Sequence, residues 1–137
     1  MSIRRARKPA YDAGYRSKFE LDVSKWFEAQ QIKVTYEPCK ISYIVPESRH
    51  NYTPDFQIGK ETTVLYEAKG YFSAADRKKM LHVIESNPTV KFKMILQNAS
   101  MKISKRSKTT YAAWCDKFGI EWCDWKDKNK LKEWCNV

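Results

Sequence analysis

From Ser17 onward the chain switches between two kinds of apolar spacing. Phe19, Val23, Trp26 and Phe27 recur at helical steps, and Ser17-Lys18-Phe19-Glu20 has the form of a capping box, so a helix is expected from about Lys18 to Gln30. Two β-rich runs follow, Lys33 to Glu37 and Lys40 to Val45, separated by Pro38, which has no N–H to give to a ladder. After Pro46 and a polar stretch come Thr53 to Ile58 and Thr62 to Lys69, and this pair reads as a hairpin closing at Gly70. Ser73, with Asp76 three residues on, has N-capping form. Met80, Leu81, Val83 and Ile84 then give the apolar face of a second helix over about Ala74 to Ser86, before Pro88. Val90, Phe92, Met94 and Leu96 alternate with Lys91 and Lys93 as a strand does, and a polar loop from Gln97 leads to a helix near Thr110 to Phe118 that stops at Gly119. Strands alternate with helices, so the expected class is α/β or α+β, a mixed central sheet flanked by helices.

Alternation along the run ending at Lys69 puts Leu65, Glu67 and Lys69 on one face and Val64, Tyr66 and Ala68 on the other. If the hairpin pairs residues whose numbers sum to 122, Asp55 sits beside Glu67 on the same face and Gly59 to Thr63 form the connection; a sum of 120 keeps that face, and odd sums break it.

The length, 137 residues, is that of one domain. Residues 1–16 carry Arg4, Arg5, Arg7, Lys8 and Arg16 against Asp12 alone and read as a flexible basic arm; 17–137 read as a single domain. Lys and Arg number 26 against 16 acids, a net charge of +10, which is the balance of a protein that sits on a polyanion or of one merely kept soluble by charge. The distribution favours nucleic acid: from Pro88 to Cys115 there are Lys91, Lys93, Lys102, Lys105, Arg106 and Lys108 and no acid. That run and the arm form the expected DNA-contact surface, through phosphates rather than bases.

No apolar stretch is long enough to span a membrane, and the N-terminus lacks the apolar run of a signal peptide. Cys39, Cys115, Cys123 and Cys135 lack Cys-x-x-Cys spacing, and His50 and His82 lie far from them, so neither a zinc site nor a redox pair is signalled. Reduced thiols in a cytoplasm are expected, with no membrane and no nucleotide cofactor. Trp114, Trp122, Trp125 and Trp134 crowd the C-terminal part, where packing is a better reading than a base-stacking platform.

Two carboxylates converging in a fold repel unless a cation lies between them. Magnesium is usually held by one or two carboxylates with water and substrate phosphate, a set that Asp55, Glu67 and the Ala68 carbonyl could supply, with Lys69 facing phosphate or the attacking water. Bland readings stand beside this one. Glu67 and Lys69 could be a solvated pair, Pro54-Asp55 a mere strand entry, and Glu20 a capping residue worth about 1 kcal/mol.

Pro54-Asp55 followed by Glu67-Ala68-Lys69, with Glu20 one helix earlier, resembles the PD-(D/E)xK nuclease signature. More specific are Tyr15-Arg16-Ser17 ending at Glu20, Ile44-Val45-Pro46, His50 with Tyr52-Thr53-Pro54-Asp55-Phe56, Glu67-Ala68-Lys69-Gly70 and Asp76-Arg77-Lys78-Lys79. With Thr110-Tyr111, Cys115, Lys117 and Gly119-Ile120, these strings resemble the phage endonuclease I family of Holliday junction resolvases over residues 14–121. The resemblance implies a restriction-endonuclease-like core, a homodimer with exchanged halves, and hydrolysis of phosphodiesters in branched DNA in the host cytoplasm. It also implies Mg2+, or Mn2+ in its place, with up to two ions per site. By position it makes Glu20, Asp55 and Glu67 the acidic metal-binding residues, Ala68 a backbone ligand and Lys69 the catalytic lysine. The connection between Asp55 and Glu67 is longer than the family's by an even step, and the end after Ile120 is short and Trp-rich.

Between Gly14 and Gly59 there is no glycine, and Pro46 stiffens 46–51, which suits a bridge between exchanged halves. Two rival readings stay open. One is a sequence-specific or transposase-associated nuclease with the same motif, the other a basic DNA-binding module with a degenerate site.

Overall fold

The computed structural model describes residues 14–45 and 48–137. The expected basic-arm residues Arg4, Arg5, Arg7 and Lys8 lie outside them.

Helix α1 spans Lys18–Ala29, and Ser17 starts it by accepting the Glu20 amide at 3.1 Å, a cap of about 1 kcal/mol. Phe19, Val23 and Phe27, spaced four apart, are its buried stripe, and a buried side chain of this kind contributes about 1.5–3 kcal/mol. Strands β1 (Val34–Tyr36), β2 (Ile41–Val45), β3 (Ser48–Tyr52), β4 (Phe56–Ile58) and β5 (Val64–Lys69) follow. Ser73 caps helix α2 (Ala74–Ser86), and strand β6 (Lys91–Leu96) comes next. Thr110 caps α3 (Tyr111–Lys117), which runs out at Gly119, whose φ of 68° favours glycine. Strand β7 (Glu121–Asp124) and helix α4 (Lys128–Cys135), capped by Asp127, complete the chain.

Five strands form one mixed sheet in the order β1-β4-β5-β6-β7. The β1, β4 and β5 ladders are antiparallel, while β5, β6 and β7 are parallel, connected through α2 and α3. Successive right-handed crossovers in one direction place both helices on the same face of the sheet. There Leu65, Phe92, Met94 and Leu96 pack with Met80, Val83, Tyr111 and Trp114. On the other face Tyr66, Ala68 and Ile95 pack with Phe19, Val23 and Phe27 of α1 and Leu131 of α4. The mixed sheet flanked by helices is the class expected from the sequence.

Strands β2 and β3 pair with each other as a separate antiparallel hairpin. Asn87 Nδ2 donates to the Ser42 carbonyl and the Ile44 amide to Ser86 Oγ, both at 3.1 Å, which ties this hairpin to the end of α2. The Trp-rich part packs: Trp125 meets Phe19 and Trp26 edge-on, Trp134 lies against Tyr66, and Trp114 against Phe72. Among the described residues all four cysteines are free, and no helix is long and apolar enough to cross a membrane.

The sheet has two unlike ends. The C-terminal ends of β5, β6 and β7 share one end with the start of β4, while the exposed Gly59–Thr63 connection lies at the other.

Candidate active site

Phe56 pairs with Tyr66, a sum of 122, so the register places Asp55 beside Glu67. Leu65 belongs to one core and Tyr66 and Ala68 to the other, so Glu67 and Lys69 share the Leu65 face. Because β5 lies inside the sheet and under both helix layers, Leu65 through Ala68 are all buried, Glu67 among them at 5% exposure. An ionised carboxylate there needs partners.

It has two. The Tyr52 phenol, reaching in from the end of β3, donates to Glu67 Oε1, and Lys69 Nζ stands 3.5 Å from Oε2. Lys69 is held from the far side by Asp76 Oδ2 at 3.6 Å, from the first turn of α2. Asp55, also buried, accepts the Ala68 amide at 2.9 Å on Oδ2. Glu20 arrives from α1. Its Oε1 accepts the Ser17 hydroxyl at 2.9 Å and its Oε2 the Tyr36 phenol, from the strand end where Tyr36 faces Phe56. The buried Glu20 side chain lines the same cleft as Asp55 and Glu67. Among the described residues no buried side-chain nitrogen or oxygen lacks a hydrogen-bond partner.

These groups line one cavity of about 370 Å³ with Arg16, Asn51, Thr53 and Lys79 on its walls. Burial, then the charges of Glu67 and Glu20, push the Asp55 carboxyl well above the usual carboxylate range. Burial likewise raises Glu67, against the pull of Lys69 and the Tyr52 hydroxyl. Burial opposes the Lys69 ammonium, but Glu67, Asp76 and Asp55 more than offset it, so its pKa rises and it stays charged.

The donor set fits a hard divalent cation. Among the described residues no three His, Cys, Asp or Glu side chains cage an ion by themselves. Two adjoining carboxylates whose proton affinity burial raises, Asp55 further through the charge of Glu67, are instead the partial set that magnesium completes with backbone oxygen, water and phosphate.

The DNA-contact residues expected from the sequence fall into two groups. Lys102, Lys105, Arg106 and Lys108 are exposed on the loop that leaves β6 at the end of the sheet where Lys69 ends β5. Among the described residues they make no ion pair. Lys91 and Lys93 stand at the opposite end, paired with Glu121 of β7, and Lys93 also lies over the Trp134 ring at 5.0 Å. The structure does not bring these two to the cleft. Arg16 does line it, and faces Glu37 at 3.9 Å.

Sequence reasoning missed the groups that hold the acids and the lysine: Tyr36, Tyr52 and Asp76. Tyr52 and Asp76 stood within the strings that carried the family resemblance, but without assigned roles. It also missed Lys79 on the cavity wall.

The family model described as phage endonuclease I matches residues 1–136. Endodeoxyribonuclease 1 of Enterobacteria phage T3 is 39% identical over 110 residues, covering 80% of this chain and 71% of that protein. Endonuclease I of Escherichia phage T7 is 37% identical over 110 residues, covering 80% and 72%.

Proposed function

Because this chain belongs to the phage endonuclease I family and is an endodeoxyribonuclease, we propose that it resolves branched DNA, four-way junctions above all, by metal-dependent phosphodiester hydrolysis in the host cytoplasm. The observation that carries the chemistry is the convergence of buried Asp55 and Glu67 with Lys69 in one cleft. The Asp55 and Glu67 carboxylates and the Ala68 carbonyl would hold the first ion, and Glu20 would serve a second. A bound magnesium or manganese ion supplies Lewis acidity at the scissile phosphate and a more acidic water. Asp55 is aimed by the Ala68 amide, and Glu67 by Tyr52 and Lys69. The Lys69 ammonium, kept charged by three acids, is placed to offset negative charge growing on the phosphate, a role worth a few kcal/mol.

Selectivity for branched DNA rests on the family resemblance and on the kind of surface next to the cleft. Lysines and arginines on an exposed loop contact phosphates, which carry no sequence information directly, so discrimination falls to the shape of the DNA.

A junction is cut on two strands, which suits a homodimer, and an exchange of halves through residues 46–51 would make each site composite. In the single chain Glu20 reaches the cleft of its own Asp55, and Ser48–Tyr52 pair with Ile41–Val45 of the same chain. Exchange would have to trade that hairpin ladder between copies.

Cleavage of a four-way junction, a mismatch and a linear duplex, each with and without Mg2+, tests this reading. Metal-dependent cutting of the junction in preference to the duplex is the expected result. Equal cutting of specific duplex sites supports a sequence-specific nuclease, and binding without cutting a DNA-binding module with a degenerate site.

A further inference from the structure

Each acid of the cleft is held differently. Asp55 takes a backbone amide, and Glu20 takes two hydroxyls, Ser17 and Tyr36. Among the described residues Glu67 has one neutral donor, the Tyr52 phenol, and otherwise only the Lys69 ammonium. Tyr52 itself is buried, with its ring edge-on to Phe92 at 6.2 Å and Lys79 Nζ 5.5 Å above its centroid. A phenylalanine would fill that space as well. The hydroxyl is the part of the residue that the core does not need.

We propose that Tyr52 is a positioning residue: its phenol latches Oε1 of Glu67 so that Oε2 stays turned to the cleft for a divalent cation. The inference rests on the reading of Asp55 and Glu67 as metal ligands. The terminal torsion of a glutamate is soft and roughly two-fold, so packing alone does not fix where its oxygens point. With Lys69 Nζ 3.5 Å from Oε2, an unlatched Glu67 turns both oxygens onto the ammonium. That rotation removes a metal ligand and ties up the lysine together. The phenol prevents it by holding the other oxygen, as hydrogen bonds to metal-ligating carboxylates commonly do. Glu20 depends less on Tyr36, because Ser17 holds its second oxygen.

The test is calorimetric titration of the DNA-free protein with Mn2+, comparing wild type, Tyr52→Phe and Tyr43→Phe. Tyr43 is a buried tyrosine of the same hairpin, stacked on His50 and away from the cleft, so it is the matched control. Tyr52→Phe is expected to weaken Mn2+ binding by about 10–100-fold, and Tyr43→Phe to leave it unchanged, with both variants melting near wild type. In single-turnover cutting of a junction, the deficit of Tyr52→Phe should shrink as Mn2+ is raised, which damage to packing alone would not do. Tyr52→Met, apolar and without a hydroxyl, should show the same loss of affinity and serves if the phenylalanine variant misfolds. Equal Mn2+ affinity in wild type and Tyr52→Phe overturns the latch and leaves the metal reading standing. A wild type that binds no Mn2+ overturns both.

Discussion

Phe56 lies directly across the ladder from Tyr66, and through that one pairing the chain aligns Asp55, just before the strand, with Glu67, just after its partner. Both rings point into the α1 side of the sheet, so both acids point the other way. Aromatic packing therefore sets the register of the two carboxylates.

Removing the acids or the lysine should remove chemistry without removing the DNA-binding surface. Asp55→Ala, Glu67→Ala and Lys69→Ala are each expected to cut junctions at below about one-hundredth of the wild-type single-turnover rate, while gel-shift affinity in Ca2+ changes little. Wild-type-like cutting by any of them would sink the site assignment.

Metal-free stability should depend on pH with a definite sign. Asp55 and Glu67 have folded-state pKa values raised by burial and neighbouring charge, so the folded protein holds their protons more tightly than the unfolded chain. The stability this contributes is full below the unfolded carboxyl values of about 4 and is lost as pH rises through the raised folded values. Without metal, Asp55→Asn should gain on wild type in Tm as pH rises above the unfolded carboxyl values, and each kcal/mol is worth roughly 2–8 °C. Mg2+ should close the gap by stabilising wild type alone. A gap that narrows with rising pH contradicts the assignment.

Binding should weaken steeply with salt, since neutralising several phosphates releases counterions. Neutralising Lys105, Arg106 and Lys108 together should shallow that slope and leave cutting at saturating enzyme intact, because they lie on the exposed loop at the end of the sheet where Lys69 ends β5, outside the acidic cleft. Neutralising Lys91 and Lys93 should change the slope less, because both face Glu121 at the opposite end. Equal effects of the two sets, measured over a salt series, would mean that DNA reaches both ends.

The register and the helix caps are legible in the sequence because their signals are local. Ser17, Ser73 and Thr110 each cap within three residues, and parity along Val64–Lys69 is set by the strand itself. Strand β3 is hidden there, since Ser48–Asn51 is exposed and polar and gains its ladder only from β2. Strand β7 is short, and half of α4 is charged, with Leu131 its one fully buried side chain. The run from Lys91 reads as free of acids because Glu121, its partner, comes from a parallel strand beyond the next helix. Tyr52 and Tyr36 meet their acids across 15 and 16 residues, and nothing in a tyrosine's own sequence surroundings announces such a contact.

A mixed pair of subunits tests whether the halves are exchanged. If sites are composite, a heterodimer of Glu20→Ala with Glu67→Ala collects both defects in one site and leaves the other intact, so it should nick one strand of a junction. If each subunit completes its own site, both sites carry one defect, and a verified heterodimer with no nicking activity rejects the exchange.

The exposed turn from Gly59 to Thr63 joins two strands that both carry their acids at the far end, so it projects from the back of the enzyme. That makes it an attachment port. A fluorophore at Lys60, or a small folded module spliced between Lys60 and Glu61, would travel with the blade yet stay out of the DNA's way, and long insertions in such surface loops cost little stability. The same turn could tether the nuclease to a bead or a targeting domain with its cutting edge facing outward.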